Sequence, residues 1–556
     1  MKSIPKNSRY MYYIVVVLFS LCISIPVVLP YFHKGYFPTH DGEWAVVRLA
    51  DMFRQLRDHQ IPPRYSGNAN FAYGYPLFNF AYPFPYYLGI ALYFLKFSFV
   101  DSIKLLFAAS VPLSAFFMFL ASKQLWKNTL AGIVSAVLFI YFPYRMVDLY
   151  ARGSIGESLS FALFPALFFF ILKILDGSPN KWNIIAGALF YGILITTHNI
   201  MAIFFSIILV FFLVSNFFVR RKEVINAIAA LILGLCISAF FWIPALVEKQ
   251  YILLSKIPIA DRNLYYATFD QLVIPRWGYG APIDSNGFSY QLGLPHIGIL
   301  LLILVFLLFL CVKRIRSITN FYGYAAFIFF GITFLFLFLL FRNSSPIWKL
   351  PFLSEINYPW TLLGPLGFLI SLLAGFLTRQ SVTKYVVFFL SLASIIIFLP
   401  YAKPQYYINR EDNYYLTNDA TTTSSSELMP LWVKKIPTMS AKEKVEIVNG
   451  QVKINNLFYN SKMIYFNTIA TNKSSVQVNT IYYPGWQAKI DGVNALISYG
   501  NDMGAMQVNI PLGHHEVSFS FTETPLRLVS DYISMGSIVF LFSMILFDRK
   551  KKGIVL

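Results

Sequence analysis

Charge is scarce in this chain, and acid is scarcer than base. Only 13% of the 556 residues are charged, 26 Asp or Glu against 45 Lys or Arg, while 57% are hydrophobic. No soluble fold needs that much apolar sequence, and its apolar residues fall in repeated stretches of about twenty, the mark of a polytopic helical membrane protein. Cysteine is nearly missing. Cys22, Cys236 and Cys311 each fall inside an apolar segment, which excludes a disulfide framework and a zinc site. Also missing are a phosphate-binding Gly-rich loop ending in Lys-Ser/Thr, a dinucleotide fingerprint, a Gly-x-Ser-x-Gly elbow, a His-Glu-x-x-His pair and any repeat at a fixed period. The net charge of +19 does not indicate nucleic acid. Its cations cluster between apolar segments, as in Arg220-Arg221-Lys222, Lys313-Arg314-Ile315-Arg316 and Arg549-Lys550-Lys551-Lys552, the positive-inside pattern of cytoplasmic loops.

That pattern orders the chain. Lys2, Lys6 and Arg9 precede an apolar run from Met11 to Pro30 that is long and has no small-x-small closing site, so it reads as an uncleaved anchor. Apolar segments follow at 103–121, 129–142, 158–175, 183–199, 200–219, 224–246, 295–312, 320–341, 359–378, 383–400 and 529–547. Phe84–Phe97 is ambiguous. If it crossed, every later basic cluster would face outside; as an interfacial helix it leaves them all inside. The expectation is about twelve crossings in the cytoplasmic membrane, with both termini cytoplasmic and any active face extracytoplasmic. Residues 1–400 then form a transmembrane domain whose first outer loop is 31–102.

Residues 401–527 differ in texture. Apolar runs vanish, Thr421–Ser426 reads as a polar linker, and alternating stretches follow at Val445–Val448, Gln451–Ile454, Val476–Asn479 and Glu516–Phe521. Period-two alternation with turns at Gly485, Asp491-Gly492 and Gly513 predicts an extracytoplasmic β-sandwich. Residues 528–556 supply a last helix and a basic tail. His514-His515 reads as solvated surface.

The candidate chemistry lies at the outer helix ends. His40-Asp41-Gly42-Glu43 follows the first anchor. A carboxylate there can take a proton from an acceptor hydroxyl or hold a divalent cation on a phosphate; interfacial solvation or a helix cap at Asp41 is the plainer alternative. Tyr73 and Tyr75 suit a sugar face or an interfacial aromatic belt. Arg145, Asp148 and Arg152 fall at i, i+3 and i+7 on a helix, where an Arg fork can meet phosphate or simply tie down a loop; Glu157 follows. His198-Asn199, between two apolar helices, calls for a cavity or a buried partner. The metal ligands and the cofactor are left unknown.

These runs in this order resemble a known family. Asp41, Tyr73-Gly74-Tyr75-Pro76, Asp148-Leu149-Tyr150-Ala151-Arg152-Gly153 through Glu157, His198-Asn199 and Ile356-Asn357-Tyr358-Pro359-Trp360 resemble the bacterial membrane proteins called 6-pyruvoyl-tetrahydropterin synthase-related. Tyr482-Tyr483-Pro484-Gly485-Trp486 and Pro511-Leu512-Gly513-His514-His515 are similar to the end of YfhO-type membrane proteins. Nothing here matches the metal-ligand histidines of the soluble pterin synthases. The resemblance implies instead a GT-C-type architecture, with an essential acid in the first outer loop, which maps onto Asp41, and a juxtamembrane helix after it. Here Asp41 is followed by Gly42-Glu43 rather than by a second Asp.

The expected function is glycosyl transfer from a polyprenyl-phosphate sugar to an envelope acceptor, with membrane lipid as a partner and no nucleic acid. Asp41 acts as base, Arg145 or Arg152 holds the phosphate, and Glu43, Glu157 and His198 orient the groups, with His40, Asp148, Asn199, Tyr73 and Tyr75 on the substrate. The rival expectation is a non-catalytic membrane protein that binds or exports an envelope glycan or lipid.

Overall fold

Each of the twelve apolar segments carries a helix, but not each helix is long enough to cross a bilayer. The computed structural model describes residues 6–177, 180–280, 284–312, 321–351, 353–423 and 425–551. The expected basic cluster at Lys313–Arg316 lies outside them. Among the described residues eight helices are long and apolar enough to span, or up to ten if each of two bent pairs counts as one span. The difference from twelve comes from short pieces. Thr129–Ile140 has 12 residues and Lys181–Thr197 has 17, roughly 18 and 26 Å at helical rise against a hydrocarbon core of about 30 Å. Phe84–Phe94, with 11 residues, is shorter still.

The helices sort by burial. Pro359–Leu377 is wholly enclosed by its neighbours, whereas Tyr10–Phe32, Thr383–Tyr401 and Pro525–Leu546 bury 28%, 22% and 17%. The first is therefore the bundle's axis, and the other three turn apolar faces to lipid. The bent pair Thr129–Ile140 and Pro143–Arg152 turns by 45°. Pro143 opens its second half, and the chain ends there in one π-helical turn, Asp148–Arg152, closed by Gly153 at φ +66°. The extra residue per turn rotates Arg152 away from the face that Arg145 and Asp148 share. Such turns recur at functional sites.

Eight antiparallel strands form the expected sandwich. One sheet is β1 (Val445–Asn449), β4 (Ser474–Ile481) and β7 (Ala505–Ile510); the other has the order β2 (Val452–Tyr459), β3 (Met463–Ala470), β8 (Gly513–Phe521), β5 (Trp486–Ile490), β6 (Val493–Ala495). Val476 opposite Val508 and Val478 opposite Met506 bury one inner face; Ile464 opposite Phe519 and Phe466 opposite Val517 bury the other. Asp491-Gly492, both at positive φ, makes the two-residue turn between β5 and β6, the twist that antiparallel hairpins favour. His515 pairs with Asp491 at 2.6 Å on the domain surface.

The sandwich is docked on the loop region that follows the first helix. Tyr65 donates to Ile481 O at 2.7 Å, Ile481 N donates to Tyr73 O at 2.8 Å, and the Lys444 ammonium donates to Ala72 O at 2.6 Å. The Tyr483-Pro484-Gly485-Trp486 run belongs to this joint: Tyr65 meets Trp486 edge-on at 5.5 Å and Tyr483 donates to Glu248 at 3.0 Å. Thr422 and Thr423 are buried, with Thr422 bonded to Arg48 and Tyr75. The segment expected to be a polar linker is therefore packed against the loop.

Candidate functional site

Thr39-His40-Asp41 is strapped to the π turn by its backbone. His40 N donates to Ala151 O at 3.0 Å and Asp41 N to Arg152 O at 2.8 Å. Gly153 must be glycine here: its φ is left-handed, and a Cβ would collide with the Thr39 hydroxyl and lie 2.9 Å from Gly42 N. Helix Gly42–Arg57 starts at once. Asp41 occupies its N-cap position without a side-chain cap bond; Thr39 Oγ1 accepts from Gly42 N at 3.0 Å instead. The Asp41 carboxylate is thus released from the capping role that spacing allowed.

It turns to Arg152. The guanidinium stands 3.0 Å from Asp41 Oδ2 and 3.6 Å from Glu157 Oε1. It lies over the Trp360 ring, 4.5 Å from its centroid. Glu157 is buried and accepts from the Tyr144 hydroxyl. His40 packs 5.8 Å from Phe288, which packs 5.1 Å from Trp360. Its Nε2 lies 2.7 Å from Gly280 O, so it donates there, and its Nδ1 is buried without a partner. Burial first, and Arg152 beside it, push its pKa down to about 4, so the ring is neutral at physiological pH. Arg152 Nε, Trp360 Nε1 and Tyr290 Oη are likewise buried without partners. Such groups are rare in native proteins, and each calls for a partner, whether water, ion or ligand.

Several expected site residues lie elsewhere. Glu43 pairs with Arg410 rather than sharing a partner with Asp41, so the two acids do not act as a unit. Arg145 and Asp148 are wholly buried, 3.5 Å apart, with Arg145 also bonded to Ser158 O and Ser110. The expectation that Arg145 meets a phosphate is corrected: it ties the bundle together. Tyr73 and Tyr75 are buried in the joint with the sandwich and the 421–423 segment, not on a ligand face. His198 caps helix Asn199–Asn216 through Nδ1 and packs 5.2 Å from Tyr82. It still borders the site, because Gly156, next to Glu157, touches both rings. Asn199 is exposed and bonds its own helix start.

Sequence reading missed Arg48 and Trp360. Arg48 sits seven residues after Asp41 on one helix, the same face, and its hydrogen bonds go to Thr422 and Tyr86, not to a carboxylate. Its spacing from Asp41 was the available signal. Trp360 was visible only as part of a motif. Among the described residues no group of three or more His, Cys, Asp or Glu side chains could hold a metal ion; between Asp41 and Glu157 stands a guanidinium.

Fold and site together define a polytopic membrane protein with a docked extramembrane β-sandwich and a carboxylate–arginine–carboxylate centre at their junction. Residues 78–261 match the family described as 6-pyruvoyl-tetrahydropterin synthase related domain, membrane protein. That segment holds Arg152, Glu157 and His198 but not Asp41. An uncharacterized protein of Lactococcus lactis subsp. cremoris is 23% identical over 175 residues, 31% of this chain and 28% of that protein, so the chain spans little more than a quarter of the length of this relative. Solved structures similar in fold are GT-C glycosyltransferases. One is the oligosaccharyltransferase of Archaeoglobus fulgidus tethered with an acceptor peptide, with 12% identity, 75% of this chain, 60% of that chain and a TM-score of 0.45. Another is ArnT from Cupriavidus metallidurans bound to undecaprenyl phosphate, with 14% identity, 71% and 72% coverage and a TM-score of 0.39. A third is the arabinofuranosyltransferase AftD from Mycobacteria, with 14% identity, 71% and 27% coverage and a TM-score of 0.39.

Proposed function

We propose that the protein transfers a sugar from a polyprenyl-phosphate donor to a hydroxyl of a cell-envelope acceptor on the outer face of the cytoplasmic membrane. The observation that carries the reading is the gathering of unpartnered polar groups (His40 Nδ1, Arg152 Nε, Trp360 Nε1 and Tyr290 Oη) around a half-exposed Asp41. Asp41 takes the proton of the attacking hydroxyl, the bond between the sugar and its phosphate breaks, and the lipid phosphate leaves. Arg152 holds Asp41 in place through a charge-assisted bond, and Glu157, fixed by Tyr144, holds Arg152. One guanidinium between two carboxylates has no charge left for a phosphate. Arg48 does: it carries no carboxylate partner, and its side chain leans toward the helix start where Asp41 lies. Charge on the departing phosphate is what such a site must stabilise.

The test uses membranes containing the protein, a mixture of radiolabelled polyprenyl-phosphate sugars and native envelope lipids. Wild type should transfer label. Asp41→Asn should lose about 10²–10⁴-fold, the usual contribution of a general base, at unchanged expression. Arg48→Gln should raise KM for the donor. Retained transfer in Asp41→Asn would sink the base assignment. A binding or export role is favoured by one observation, the engagement of Asp41 with Arg152; no transfer from any donor, with binding of envelope glycan or lipid lost only in sandwich variants, would decide for it.

A further inference from the structure

A cavity of about 260 Å³ lies behind Phe288, whose ring packs 5.8 Å from His40. Trp277, Phe288 and Tyr290 give it aromatic walls, and Gln271, Asn286 and Ser289 give it polar ones. The walls are fixed. Trp277 stacks on Tyr401 at 4.7 Å with the planes 10° apart, and Gln271 donates to Ser285 Oγ at 3.0 Å and to Asn286 Oδ1 at 3.1 Å, which orients the Asn286 amide. Phe288 is shared with the site, since it touches both His40 and Trp360. Tyr290, 2% exposed, lines the cavity with its hydroxyl buried and unpartnered, a polar group that calls for a ligand atom.

Size, charge and chemistry narrow the occupant. The volume equals roughly nine waters and lies below the range of about 300–1,000 Å³ typical for drug-sized ligands, so it admits one small ring and no peptide. The one cation in the lining, Arg276, faces Asp270 at 3.3 Å, which leaves little net charge for a phosphate. Aromatic walls with amide and hydroxyl fringes suit a ring that is apolar on its faces and hydroxylated at its edge.

We infer that this cavity is a monosaccharide subsite joined through Phe288 to the site of His40 and Trp360, holding either the donor's sugar or the terminal sugar of the acceptor. Its place in a reaction rests on the transferase reading above; the binding itself does not. The experiment is saturation-transfer NMR on the full chain in lipid nanodiscs, with the methyl glycosides of glucose, galactose, mannose and N-acetylglucosamine as probes. At least one should bind saturably, and Trp277→Ala should weaken it by about tenfold. Tyr290→Phe, the milder change, should weaken it by about threefold to tenfold. A soluble short-chain polyprenyl-phosphate sugar that displaces the glycoside assigns the subsite to the donor; one that binds alongside it assigns the subsite to the acceptor. No binding by any glycoside, or binding indifferent to both substitutions, overturns the inference even if transfer is observed. Binding without transfer leaves the subsite standing and removes the transferase.

Discussion

Replacing Arg152 by methionine removes a guanidinium and keeps most of the side chain's length. The two carboxylates it leaves behind differ. The Asp41 side chain is 35% exposed and that of Glu157 only 2%. Asp41 can turn to water; Glu157 is left as a buried, unpaired charge. Breaking a buried pair from one side costs about 3–5 kcal/mol, whereas an exposed pair is worth about 0–1 kcal/mol. Loss of the contact with the Trp360 face adds a smaller amount, about 0.5–2 kcal/mol. Arg152→Met should therefore destabilise by about 3.5–7 kcal/mol, mostly through Glu157.

The cause can be separated from the effect with second substitutions. Glu157→Gln removes the stranded charge and still accepts from Tyr144, so adding it to Arg152→Met should restore most of the loss. Asp41→Asn in the same background should restore less than about 1 kcal/mol. Unfolding midpoints of wild type, the three single variants and the two double variants in one detergent form the two cycles. Equal rescue by Asp41→Asn and Glu157→Gln, or an Arg152→Met protein as stable as wild type, would refute the assignment of the buried charge to Glu157.

Two more outcomes follow from buried charge. His40 is held at about 4 against an ordinary 6.5, so between those values the unfolded chain binds the extra proton. Stability present above pH 6.5 is lost as pH falls toward 4, by up to ~3 kcal/mol. His40→Asn should flatten the fall in unfolding midpoint from pH 7 to 4, and an unchanged slope would exclude His40 as its source. Glu248 accepts from Arg527 at 2.9 and 2.7 Å, from Asn79 at 2.9 Å and from Tyr483 at 3.0 Å. Glu248→Gln strands a wholly buried arginine, at about 3–5 kcal/mol. It should loosen the sandwich from the helices, read as faster proteolysis within residues 425–444; unchanged cleavage would place the joint's strength elsewhere.

Hydropathy and alternation carried most of the architecture because both patterns follow one chain direction. The helices appear wherever an apolar run was long, and the sandwich where residues alternate. The alternating stretches named in the sequence did not include β3, β5, β6 or β7, and β3 shows why. Met463-Ile464-Tyr465-Phe466 has large residues on both faces, so the strand does not alternate in hydrophobicity although it does in burial. The site was half legible. Asp41, Arg152, Glu157 and His198 do converge, but Arg145 and Asp148 do not join them, because the π turn inserts a residue that a 3.6-residue period cannot anticipate. Arg48 escaped notice because sequence spacing does not report that its hydrogen bonds go to Thr422 rather than to a carboxylate.

The same distance argument explains why the acid sits where it does. Asp41 follows an anchor helix and would by itself sit on a mobile loop. Three distant segments remove that freedom. The π turn pairs with residues 40–41 by backbone, the sandwich fixes the far end of the loop at Tyr65, Ala72 and Tyr73, and the 408–423 segment pairs with Tyr36 and bonds Arg48. Each contact joins residues more than a hundred positions apart, so none stabilises the loop until the whole chain has folded. In the proposed role of general base Asp41 must be held to within a fraction of an ångström of its productive position, and a sandwich placed after all but the last helix can hold it only by reaching back. On the proposed reading the β domain needs no ligand of its own to matter for chemistry at Asp41; its docking supplies the rigidity that the loop after the first helix would otherwise lack.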